Sequence, residues 1–110
     1  MDDSNQIEVP PSFLALFVSP YGQRLTEPVA VVRQRYELCE DLAQMLAEDA
    51  SARLFKSGGT EREVLDRMRT ALSEPGSAVQ PMEASWVVTR LAELLGWPLP
   101  DPASETTGPR

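Results

Sequence analysis

A chain of 110 residues with 42% hydrophobic and 25% charged side chains is long enough for one modest core and too short for two. It has no histidine, which excludes Ser-His-Asp and Cys-His catalysis and every histidine-based zinc or di-metal site. Its net charge of -7 works against binding nucleic acid or anionic membrane, which needs a concentrated basic face.

Met1 to Gln6 is polar and acidic and is expected to be a disordered lead to a single helical domain over residues 7–97. Asp2 and Asp3 stand where a signal peptide carries Lys or Arg, and the run Phe13 to Val18 is too short for a signal-peptide core or a membrane span. A single cysteine forms no internal disulfide. A reducing, cytoplasmic setting is the expectation.

Pro10 and Pro11 favour an extended start to a short helix that Pro20 stops. Phe13, Leu14, Leu16 and Phe17 point to more than one side of so short a helix, so the segment must be buried, on its own chain or on a partner. Ser19 to Leu25, with Pro20 and Gly22, reads as a loop.

The longest signal spans about 28 to 57. Thr26 is the expected N-cap, Pro28 sits in the first turn and Gly58 stops the helix in a left-handed conformation. Val32, Tyr36, Cys39, Ala43, Leu46, Ala50 and Leu54 recur every three or four residues and form one apolar stripe. Thr60 and Glu63 form a T-x-x-E capping box that opens a helix over 61 to 74, with Val64, Leu65, Met68, Ala71 and Leu72 inward. A third helix over 81 to 95 carries Ala84, Val87, Val88, Leu91 and Leu95 on one face. Gly96 fits C′, Trp97 can fold back, and Pro98 forbids continuation. Residues 98–110 read as a disordered, Pro-containing tail, and Pro98 to Pro102 would favour polyproline II.

Five features could offer chemistry, each with a plainer alternative. Glu37, Glu40, Asp41, Glu48 and Asp49, with no basic residue between Glu37 and Asp49, could seed a hard-cation site or dock a basic partner, or could simply be a solvated face. Lys56-Ser57-Gly58-Gly59-Thr60 superficially resembles a phosphate loop, but the Lys precedes the glycines and follows a helix, so it reads as a helix stop and a cap. Cys39, on the stripe, reads as a small buried hydrophobe. Arg62, Arg67 and Arg69, near Arg53 and Lys56, are the one basic cluster. They are interleaved with Glu61, Glu63 and Asp66, and Glu63 to Arg67 is a favourable i,i+4 pair. Trp86 is placed to stack on Arg90 or to join an interface.

Ile7-Glu8-Val9-Pro10-Pro11-Ser12-Phe13 and Arg35-Tyr36-Glu37-Leu38-Cys39-Glu40-Asp41-Leu42-Ala43 resemble a family of short bacterial proteins labelled "ATPase with chaperone activity". There is no Walker A motif and no room for an AAA-type nucleotide domain. The resemblance therefore implies an accessory to a larger ATPase or chaperone, and it carries over no site residues.

The expectation is an all-α protein: three main helices in a small bundle, with a short apolar N-terminal helix or arm. The expected function is a non-enzymatic protein-protein interaction or adaptor module, self-association being one form of it. Phe13, Leu14, Leu16, Phe17 and Trp86 are the expected partner-binding residues. No catalytic, cofactor-binding or metal-binding residue is assigned, and neither nucleic acid nor membrane is expected as a partner. A DNA-binding transcriptional regulator is the alternative and a carboxylate-metal enzyme the third reading.

Overall fold

A computed structural model of the chain describes residues 8–22 and 24–99. The expected lead, Met1 to Gln6, and residues 100–110 of the expected tail lie outside them. Four helices make up the regular structure of the described residues: α1 (Pro11–Leu14), continued by a 3-10 turn (Ala15–Phe17), then α2 (Val29–Ser57), α3 (Glu61–Leu72) and α4 (Pro81–Leu95). No strand forms among these residues, and an isolated antiparallel bridge joins Val18 to Leu25. The protein is a small all-α bundle.

α2 is the spine, and α4 packs along it while α3 packs on both. The stripe read from the sequence faces this core: Val32, Cys39, Ala43 and Ala50 are buried, with Tyr36, Leu46 and Leu54 partly so. One half of the core gathers Phe13, Phe17, Val79, Ala84 and Val87 around the first part of α2. The other packs Val64, Leu65 and Met68 of α3 against Ala50, Val88, Leu91 and Ala92.

Local chemistry sets most helix ends. The Glu63 N–H donates to Thr60 Oγ1 and the Thr60 N–H to Glu63 Oε1, the reciprocal box expected from T-x-x-E. Gly96 has φ +71°, the Trp97 N–H donates to Ala92 O and the Gly96 N–H to Glu93 O. These are the two bonds of a Schellman motif, with Trp97 folded onto the core. Gly58, at φ +69°, closes α2 in the same left-handed region.

Three details differ from the expectation. Thr26 is not the cap of α2, since Pro28 holds the N-cap position and Val29 is the first helical residue. The Thr26 N–H and hydroxyl both donate to Phe17 O, tying the loop to the end of the 3-10 turn. A threonine can cap only where the chain is already turning into the helix, and Pro28 in extended conformation delays that turn. α3 ends at Leu72, because Ser73 satisfies the Arg69 carbonyl through its N–H and hydroxyl and the chain then turns through Gly76. The short N-terminal helix ends at Phe17, three residues before Pro20.

Candidate functional site

α1 and the 3-10 turn that follows it each place a phenylalanine inward. The Phe13 ring, 0% exposed, lies 5.1 Å from the Trp86 ring at 86°, 5.6 Å from Tyr36 and 5.5 Å from Phe17. Tyr36 and Trp86 also meet edge to face, at 5.7 Å. Such contacts add to the burial itself, so this four-ring cluster is a strong internal anchor. Leu14 packs half-buried against the same core. Leu16 and Trp86 meet at a surface cleft of about 260 Å³ between α1 and α4, lined also by Met82 and Arg90. The Trp86 Nε1–H donates to Ser12 Oγ at 2.9 Å, stapling α1 to α4. Of the five residues expected to meet a partner, Phe13 and Phe17 are thus closed within their own chain. Leu16 and Trp86 reach the surface.

The carboxylates that face inward are held by arginines. Glu83, 1% exposed, accepts Arg35 Nε at 2.8 Å and Arg35 Nη2 at 2.5 Å, and its Oε1 also accepts the Gln80 N–H at 2.9 Å. Arg35 Nη2 further donates to Ala78 O. Burial pushes the Glu83 carboxyl up, but the bonds from Arg35 and Gln80 and the charge of Arg35 outweigh it and hold it below the ordinary carboxylate range. Across the core, Glu40 accepts Arg90 Nε at 2.9 Å and Nη2 at 3.1 Å, and that pairing, against some desolvation, lowers its pKa too. Arg90 also bonds Glu93, so it serves the carboxylates rather than stacking on Trp86. Both pairs are bidentate clamps between α2 and α4. Neither leaves a carboxylate placed as a general base or metal ligand.

Cys39 is buried on the inward stripe of α2. Burial pushes its thiol up to about 12, with the nearby Glu83 charge adding and Arg35 opposing. At neutral pH it carries almost no thiolate. A soluble maleimide reagent should label Cys39 only on the unfolding timescale and rapidly in denaturant. Labelling of the native chain within minutes would contradict this placement.

Arg53, Lys56 and Arg67 line a cleft of about 300 Å³ where α2 ends and α3 begins. Arg53 is bonded to Asp49 at 2.8 Å. Glu63 turns to its cap rather than to Arg67, but it lies in the same cleft. Arg69 pairs with Asp66 at 3.5 Å. Pro98 and Leu99 lie beside the first turn of α3, next to Thr60 and Leu65.

On the outward face of α2 the sequence marks the carboxylates but not the apolar residues beside them. Leu38 is 37% exposed, Met45 72% and Phe55 90%, and Ala52 is exposed as well. At 100° per residue, Leu38, Met45 and Ala52 fall within about 40° of one another, about 140° round from buried Cys39, Ala43 and Ala50. Glu37, Asp41, Glu48 and Phe55 fall together on one flank of that stripe. None of these three carboxylates has an ion-pair partner among the described residues. The signal was present in the sequence as a second apolar series, offset from the core stripe and repeating every seven residues.

Comparison with protein-family models, curated proteins and solved structures finds no significant match to this chain. Function must be read from the side chains themselves. No helix among the described residues is long and apolar enough to cross a membrane.

Proposed function

We propose that this chain is a small cytoplasmic, non-enzymatic protein-protein interaction module, and that its docking surface is the outward face of α2. The observation that supports this reading is the exposed apolar series Leu38, Met45 and Ala52, with Phe55 on its flank, left in water along the longest helix while the core is closed elsewhere. Scattered exposed apolar side chains are ordinary. A heptad-spaced series on one helix face is the arrangement a second helix packs against. An accessory role beside a larger ATPase or chaperone, as the family resemblance implies, is compatible with such a surface.

The test is loss of capture by a folded variant. Met45→Ser with Phe55→Ser removes two exposed side chains, so the unfolding midpoint should move by no more than a few degrees. Affinity capture from source-cell extract should lose its specific partners with the variant and keep them with the parent chain. Equal capture by both chains would refute the surface.

The cleft lined by Arg53, Lys56 and Arg67 is the observation that favours the DNA-binding alternative. Three cations, one already paired with Asp49 and all close to Glu63, neutralise few phosphates against a net charge of -7. Titration with mixed-sequence duplex at physiological salt should show no binding below about 100 µM, weaker even than ordinary non-specific association. Sub-micromolar, steeply salt-dependent binding would put the regulator first.

A further inference from the structure

We infer that the partner of the α2 face is a basic amphipathic helix, lying along α2 with its apolar stripe on Leu38, Met45 and Ala52 and its Lys or Arg flank on Glu37, Asp41 and Glu48, beside which Phe55 adds an apolar contact. This rests on the interaction reading above and specifies its ligand. From Leu38 to Phe55 the face runs 17 residues, about 25 Å of helix axis, which matches four to five turns of a partner helix. Side chains seven apart recur about every 10.5 Å, the spacing at which a second helix can insert its own apolar residues between them.

Charge complementarity selects among occupants. The flank carries three carboxylates with no ion-pair partner among the described residues and no basic residue from Glu37 to Asp49. A second copy of α2 would disfavour itself at its middle: in an antiparallel pair centred on Met45 the same flanks meet, bringing Asp41 of one copy towards Glu48 and Asp49 of the other, while Glu37 faces Arg53. Like charges so juxtaposed oppose association. An acidic partner is repelled for the same reason. A helix with cations beside its apolar stripe satisfies both parts of the face.

The experiment titrates the full chain with three synthetic 18-residue helical peptides: Leu-striped with Lys flanks, Leu-striped with Glu flanks, and the Lys peptide with its Leu positions scrambled. The Lys-flanked peptide should bind with a micromolar Kd. The other two should bind at least about tenfold more weakly, since a mismatched flank or stripe loses one part of the complementarity. Amide chemical-shift changes should concentrate on the outer side of α2 between residues 37 and 56. Met45→Ser with Phe55→Ser should lose about tenfold or more, and Asp41→Lys with Glu48→Lys should reverse the preference towards the Glu-flanked peptide. Equal binding of Lys- and Glu-flanked peptides, no binding of the Lys-flanked one, or shifts centred on the cleft between α1 and α4 would overturn the inference. Sedimentation showing that the parent chain dimerises and the Met45/Phe55 variant does not would also overturn it, since the occupant would then be a second copy. That outcome would leave the interaction reading standing.

Discussion

Phe13→Ala should destabilise the protein by about 3–5 kcal/mol, lowering the unfolding midpoint by more than about 12 °C at every protein concentration. The ring it removes is fully buried and touches Phe17, Tyr36 and Trp86, so truncation leaves a cavity walled by three large aromatics from three separate segments. These cannot all close into the gap, because α1 is fixed by the Thr26 bonds to Phe17 O and by the Ser12 to Trp86 bond. Denaturant melts at two concentrations tenfold apart provide the check. A loss below 1 kcal/mol, or a midpoint that rises with concentration, would mean that Phe13 is buried by another molecule.

The second large effect lies at the Arg35–Glu83 clamp. Glu83→Ala should cost about 3 kcal/mol, because it strands a guanidinium at the edge of the core and deletes the acceptor of the Gln80 N–H at the start of α4. Arg35→Met with Glu83→Met should recover part of that loss, since two apolar side chains of similar length leave no unpaired charge. The pH dependence has a definite sign. Glu83 and Glu40 both titrate below the ordinary carboxylate value in the folded state, so their contribution is fully present above about pH 5. It is lost as pH falls through about 4 and below, where protonation breaks both clamps. Urea melts from pH 7 down to pH 3 should show stability falling in that window for the parent chain and falling less for the double Met variant. Identical pH profiles for the two would contradict the role given to the clamp.

Much of the fold was legible because its signals are local. Thr60 and Glu63 are three residues apart, and Gly96 and Trp97 follow directly on the helix they stop, so side chain and backbone partner lie within one turn. The stripe from Val32 to Leu54 needs only the helical period. What the sequence hid is the pairing of segments. Arg35 with Glu83 and Arg90 with Glu40 are 48 and 50 residues apart, and nothing in either stretch distinguishes these arginines from the solvated ones. Thr26 looked like a cap because caps are recognised by residue type, whereas its real acceptor is the Phe17 carbonyl nine positions earlier. The apolar surplus at Phe13 to Phe17 was visible, but whether it docks at home depended on Tyr36 and Trp86 forming the other walls. The outward series on α2 is equally local, one residue in every seven. Once Leu54 takes the inward position, Phe55 is turned to solvent by helix geometry alone.

Site-specific photo-crosslinking in the source cells reads whether another protein covers the outer face of α2. A photoreactive residue is placed at Met45 in one chain and at the exposed Thr70 of α3 in another. A discrete heteromeric adduct is expected from position 45, absent from position 70 and abolished by Phe55→Ser in the same chain. No adduct from position 45, or the same adducts from both positions, would contradict it.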